Sequence, residues 1–253
     1  MMKLNDDYLA FTAKMAHDIK IASYAQLNMQ PGSRHLEIGC GNGHDSIALA
    51  ERFPDSDITG IDLNLDIVQV ANQRVSEKGL HNVNHLTGDA AHYMFDGKYH
   101  SMRAERVFQH LKDTEIESLV ANSAKYAEPG CTFSVVGIDW ESLTCTIGKQ
   151  HLATFRTIKQ FLIEVSNITF LHTAIDAFER NGFETGNIDV YNHTTYSFEA
   201  ALKAFNLEYI ASHMAIDAER FEAFRMDFHD GKHFFSVGGS NAPFRYQGSV
   251  APS

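Results

Sequence analysis

Three glycines and two later acids carry the most chemistry in this chain. Gly39, Gly41 and Gly43 stand in HLEIGCGNGHDS, between a short apolar run and a helical pattern. Glycines at that spacing let the backbone turn sharply and approach a ligand with no Cβ in the way. Asp62 closes the apolar run DITGID and Asp89 follows the next one, in TGDAA. At the carboxyl end of a strand, an Asp62 carboxylate can accept two hydrogen bonds from a ribose diol. Asp89 can accept from an adenine amine, with the Ala90 backbone N–H beside it. The set suits a nucleoside without phosphates. In the G-x-G-x-x-G pattern of dinucleotide sites, His44 stands where the third glycine belongs, and a Walker lysine is absent.

These residues need a frame of strands and helices. HLEIG (35–39) reads as a first strand and SIALAERF as a helix. DITGID (57–62) reads as a second strand, and Leu65 to Lys78 as a helix stopped by Gly79. Val83 to Thr87 and Tyr99 to Arg106 are the third and fourth strands. A helix follows from Thr114 to Ala127, where Thr114 and Glu117 make a capping-box pattern. Thr132 to Ile138 is the fifth strand. Strands alternating with helices predict an α/β fold with a parallel sheet and helices on both faces. Before this core, Asp7 to Leu27 has helical spacing and Pro31-Gly32 ends it. After it, Trp140 to Phe170 reads as mainly helical, Leu171 to Asn181 as a helix and Phe183 to Val190 as a strand. Ser197 to Asp227 is helical again, and His233 to Val237 is a last strand. The tail after Gly248 reads as frayed.

The 253 residues fit one large domain with insertions. The expected parts are N-terminal helices (1–30), a ligand-binding core (31–139), helical pocket segments (140–170 and 197–227) and a tail (249–253). Lys+Arg is 21 and Asp+Glu is 32, a net charge of -11. That opposes binding to nucleic acid or to an anionic membrane, both of which need a basic footprint. Three widely spaced cysteines, Cys40, Cys131 and Cys145, suggest a reducing compartment. No apolar run approaches the ~20 residues of a membrane span, and the N-terminus does not read as a signal peptide. A cytoplasmic protein is expected.

The motifs together resemble the class I S-adenosylmethionine-dependent methyltransferases. HLEIGCGNG looks like their first motif, with Glu37 at its acidic position. GIDLN and GDAA look like the motifs of the second and third strands. MRAERVFQHLKD, EPG and TFSVVGIDW look like the later ones. The run is similar to the small-molecule branch with ubiquinone/menaquinone-type and natural-product enzymes. The resemblance implies a Rossmann-like fold whose mostly parallel, seven-stranded sheet has an antiparallel last strand, with helical acceptor-pocket insertions. It implies S-adenosyl-L-methionine as cofactor and a small-molecule methyl acceptor as partner. Glu37 would orient the methionine amino group through the loop, and Gly39, Cys40 and Gly41 would contact the methionine part by backbone. Gly43 completes that loop. Asp62 would hold the ribose, Leu63 would lie against the adenine, and Asp89 and Ala90 would bind the adenine edge. Arg103, Ala104 and Glu105 would face the methionine carboxylate and the sulfonium.

For proton removal from an acceptor, His110 in FQHL and Asp139 after the fifth strand are the candidates by position. Each has a structural alternative: packing for His110, capping for Asp139. Asp62 and Asp89 could also be helix N-caps, which would not exclude binding. Fourteen histidines invite a metal, but His81 and His85 sit where a spacing of four does not align ligands, and no metal site is expected. Methyl transfer to a small molecule, at an O, N or C atom left open, is the resulting expectation. A nicotinamide-dependent oxidoreductase and a non-catalytic S-adenosylmethionine binder are the alternatives.

Overall fold

The computed structural model describes residues 17–229 and 231–248. The expected helix before His17 and the tail from residue 249 lie outside that range. Helix α1 (His17–Gln26) leads into β1 (Arg34–Ile38), α2 (His44–Arg52), β2 (Asp57–Asp62), α3 (Leu65–Lys78), β3 (Val83–Thr87) and β4 (Tyr99–Glu105). Then come α4 (Asp113–Lys125), β5 (Ala127–Cys145), α5 (Leu152–Glu164), α6 (Phe170–Arg180), β6 (Phe183–Thr185) and β7 (Asp189–Thr195). Three short helices, α7 (Phe198–Phe205), α8 (Leu207–His213) and α9 (Ala218–Met226), precede β8 (Phe235–Tyr246). Local signals explain several boundaries. Asn64 Oδ1 caps α3 by accepting from the Asp66 and Ile67 amides at 3.0 and 3.4 Å, and Gly79 ends that helix at φ 64°. Helix α4 starts at Asp113, one residue before the expected Thr114. Its reciprocal cap is the Lys112 amide donating to Glu115 at 2.7 Å, while Glu117 pairs outward with Arg180.

The strands order as β3-β2-β1-β4-β5-β8-β6, with β7 also on β8. Strands β3 to β5 pair in parallel and β8 runs antiparallel to β5. One edge of β8 is taken by β5, so β6 and β7 lie end to end along the other. The expected single strand from Phe183 to Val190 is thus two segments. The break falls at Gly186, opposite Pro243, which has no N–H to continue the ladder. The sheet holds eight strands in seven positions, where seven strands were expected.

The two sheet faces differ in chemistry. One presents Leu36, Ile38, Met102, Ala104, Phe133, Val135, Ala242 and Phe244 to α4 and α6, in a core whose rings include Phe108 and Phe178. The other face carries a register row of Glu105, Val136, Asn241 and Asp189 across four strands. Residues opposite one another across a sheet share a face. Helix α1 covers this polar face: Gln26 donates to Asp189 at 2.5 Å and accepts from Asn241 at 2.8 Å.

Strand β5 does not stop at Ile138, nor does a helix begin at Trp140. It continues to Cys145, and β8 extends from Phe235 to Tyr246, well beyond the expected 233–237. The extra lengths pair as two arms, interrupted after Asp139. Helices α5, α7, α8 and α9 pack around them in an apolar cluster with Trp140, Phe155, Phe205, Phe224 and Phe235. Long pairing overrode the helical spacing because the apolar residues of 140–145 are buried against these helices. No helix among the described residues is long and apolar enough to cross a membrane.

Candidate cofactor and acceptor site

The glycine loop leaves the end of β1 and enters α2. Gly39 and Cys40 both donate to the Ile61 carbonyl of β2, at 2.8 and 3.0 Å, which folds the loop over the strand ends. Gly39 sits at φ 69°, and a Cβ there would stand 2.3 Å from Val107 Cγ2. Gly41, at φ 52°, donates its amide to Asp62 Oδ2 at 3.0 Å. The other Asp62 oxygen accepts from the Asn64 amide at 2.9 Å. Asp62 therefore ties the glycine loop to the start of α3. A carboxylate has about four acceptor positions, so two backbone bonds leave room for a diol. Cys40 is buried beneath the loop, and burial beside Asp62 and Glu37 pushes its thiol well above the ordinary range.

Leu63, the next residue, is 71% exposed, an apolar side chain left standing in solvent beside Asp62. Asp89, at the end of β3, accepts from the Ala91 amide at 2.9 Å and lies 2.8 Å from His92 Nδ1. The His92 contact first, and the Ala91 amide with it, hold its carboxyl below the usual range. Ala90 is buried, and its carbonyl accepts from Asn122 on α4 at 2.8 Å. Glycine loop, Asp62, Leu63 and Asp89 lie at the same carboxyl end of β1, β2 and β3, in the place a ligand occupies in an open α/β sheet.

Beneath the loop is a closed ionic cluster. Arg103 is fully buried; its Nη1 donates to Glu37 Oε1 at 2.7 Å, its Nη2 to Glu105 and its Nε to Ser23 at 3.0 Å. Lys20 of α1 bridges Asp45 at 2.6 Å and Glu105 at 2.8 Å, and the Tyr24 hydroxyl donates to Asp45. His35 Nε2 meets Glu37 from the other side at 3.2 Å. Burial would raise the Asp45 and Glu105 carboxyls, but Lys20 and Arg103 hold both below the usual range. The expectation that Arg103, Ala104 and Glu105 face a ligand is corrected here. Arg103 and Glu105 turn inward to these ions, and Ala104 lies in the apolar core on the opposite face.

Comparison with known proteins fits this arrangement. Residues 36–131 match the family described as a methyltransferase domain. A demethylmenaquinone methyltransferase of Geobacillus stearothermophilus is 35% identical over 71 residues, 28% of this chain and 30% of that protein. A malonyl-[acyl-carrier protein] O-methyltransferase of Bacillus anthracis is 27% identical over 163 residues, covering 64% and 55% of the two chains. The matches thus span about a third to a half of these relatives. The crystal structure of the YcgJ protein from Bacillus subtilis superposes with a TM-score of 0.62 at 16% identity, over 91% of this chain and 99% of that one. Residues 36–131, under half of the chain, are thus similar to a methyltransferase domain, and the fold is shared with YcgJ across nine-tenths of the chain.

Beyond the glycine loop lie the two residues expected to remove a proton. His110 ends a short turn after β4 and is exposed; partial burial, then Arg106, lowers its imidazole below the ordinary range. Asp139 is exposed too, and its carboxylate accepts from the Glu141 amide at 2.9 Å in a local turn. Two residues that sequence reading missed stand on β7. Tyr191 donates its hydroxyl to the Gly137 carbonyl at 3.1 Å, and its ring lies 5.2 Å from that of His193. A four-residue alternation of aromatic and polar side chains was the one available signal, and it does not distinguish an edge strand from a pocket wall. A surface cleft of about 430 Å³, lined by Gln26, Thr132, Asp189 and Arg245, opens at the far end of β5 and takes no part in this site.

His85 is the buried histidine that supports the loop from below. Its Nδ1 donates to Asn72 Oδ1 at 3.2 Å, which leaves Nε2 to accept from the Ser46 hydroxyl at 2.6 Å. Burial lowers it to about 4, so it is neutral at pH 7. It bridges α2, α3 and β3. Among the described residues no group of three or more His, Cys, Asp or Glu side chains is arranged to hold a metal ion.

Proposed function

We propose that the protein transfers a methyl group from S-adenosylmethionine to a small-molecule acceptor. The observation that carries this reading is Asp62, whose carboxylate spans Gly41 and Asn64 at the mouth of the glycine loop. The donor set fits the cofactor: a diol acceptor at Asp62, an apolar platform at Leu63 and an adenine acceptor at Asp89 beside Ala90. Gly39, Cys40, Gly41 and Gly43 would bring their backbone against the methionine part. Glu37 would act through the loop, since it is enclosed with Arg103. When bound, the cofactor supplies an already activated methyl group on a sulfonium. The chain's task is then orientation and proximity. A base is required only when the acceptor must lose a proton as it attacks; His110 and Asp139 are the candidates by sequence position alone. The charge of -11 favours a small acceptor over a phosphate-rich polymer.

The test is calorimetry with S-adenosylmethionine, S-adenosylhomocysteine and NAD, followed by labelled-methyl transfer to a panel of small molecules. Binding of the first two without NAD is expected. An NAD signal with no response to either methyl-cycle ligand overturns the reading.

A further inference from the structure

We propose that His193 is the base that removes the proton of a phenol-type acceptor hydroxyl, with Tyr191 fixing where that hydroxyl stands; this rests on the methyl-transfer reading. The register places both residues. Glu105, Val136, Asn241 and Asp189 form one row, and Ile138, Gly239 and Tyr191 form the row two residues further on. Strand β7 runs parallel to β5, because each is antiparallel to β8. Tyr191 and His193 therefore share the face of Glu105 and α1, and they stand beyond Glu105 toward the carboxyl ends of the strands. That is the end at which the glycine loop opens.

The Tyr191 ring crosses over β8 at Gly239, where a Cβ would come within 2.6 Å of two ring atoms. Its hydroxyl then reaches Gly137 on β5. The ring is thereby fixed across two strands, and His193 is stacked edge-on to it at 80°. His193 is half-buried. The charged and titratable groups that act on it are Glu105 and Arg106 at the end of β4, with Tyr191 on its own strand. Burial lowers the imidazole, Glu105 opposes and Arg106 adds to the lowering, so it is neutral and able to accept a proton at pH 7. Asp139, by contrast, is engaged by the Glu141 amide.

The step balances. The acceptor hydroxyl gives its proton to an imidazole nitrogen of His193. Its oxygen forms the new bond to the methyl carbon as the carbon–sulfur bond breaks, and that electron pair stays on sulfur. A phenol is the acceptor class named because its hydroxyl is protonated at pH 7 yet within reach of a neutral imidazole.

The experiment uses the full chain, labelled methyl donor and a panel of simple phenols, carboxylic acids and primary amines. Transfer to phenols is expected. His193→Gln should lower that single-turnover rate by roughly 10²–10⁴-fold, the usual worth of a general base. S-adenosylhomocysteine affinity and the urea midpoint should stay unchanged, and the wild-type fall in rate at acid pH should be absent from the variant. Tyr191→Phe should raise KM for the phenol more than it lowers kcat. Phenol transfer by His193→Gln within threefold of wild type overturns the proposal. So does transfer only to carboxylic acids or amines, or to no panel member, by a protein that binds the donor. A protein that binds neither methyl-cycle ligand instead removes the methyl-transfer reading beneath it.

Discussion

Arg103 and Glu37 face each other across adjacent parallel strands at 2.7 Å, and both side chains are sealed from solvent. A buried charge without its partner is costly, so each holds the other in place. Arg103→Met would strand Glu37 and leave Asp45 and Glu105 to share Lys20 alone. A loss of about 3–5 kcal/mol is expected in urea unfolding. Adding Glu37→Gln should restore part of it, so the double variant should lose less than the sum of the singles.

Lys20 extends that cluster to α1, and its removal would leave Asp45 and Glu105 to share Arg103 alone, which already serves Glu37. Lys20→Met is expected to cost about 3 kcal/mol at pH 7. The dependence on pH has a sign. Asp45 and Glu105 have carboxyls held below their ordinary values. The stability they contribute is present above the ordinary carboxylate range and is lost as pH falls toward the lowered folded values. The gap between wild type and variant should therefore close on acidification. A gap that stays constant from pH 7 to pH 3 would contradict the coupling.

His85 gives a second pH effect in a different window. Its folded value is about 4 against an ordinary value of 6.5. The unfolded chain binds the proton first, so stability falls as pH drops from 6.5 to about 4 and is complete above 6.5. The span corresponds to roughly 3 kcal/mol. His85→Gln should lack this decline. Urea unfolding of both proteins at several pH values between 4 and 7 measures it.

Asp62 and Gly39 separate binding from folding. Asp62→Ala should weaken S-adenosylhomocysteine by about 1–3 kcal/mol, roughly 5- to 150-fold by calorimetry. Gly39→Val should fail earlier, in folding. Its backbone is left-handed and its Cβ would collide with Val107. That strain costs about 1–3 kcal/mol before the collision is counted. An Asp62→Ala protein that binds normally would place the cofactor elsewhere.

Much of this protein was readable along the chain. The glycine loop, Asp62, Asp89, the first four strands and the Gly79 stop depend on local signals: backbone freedom, apolar runs and caps. Those act within a few residues, so the sequence determines them directly. The right half of the sheet was harder. The apolar residues from Trp140 to Cys145 fit a helix by spacing, and they become strand only because β8 runs alongside and four helices bury them. Strand β7 exists because Pro243 ends one pairing and the chain re-engages β8 three residues later. Arg103 was legible as part of the strand-four end. Its inward turn depends on Glu37, 66 positions earlier, and on Ser23 of α1. Tyr191 and His193 gave no recognisable motif, since only register sets them on the face of Glu105. The sequence by itself determined the donor loop, because its chemistry is contiguous. The tertiary structure decided the ionic closure and the placing of Tyr191 and His193 beside β5, because each is made by strands far apart in the chain whose register no local spacing encodes.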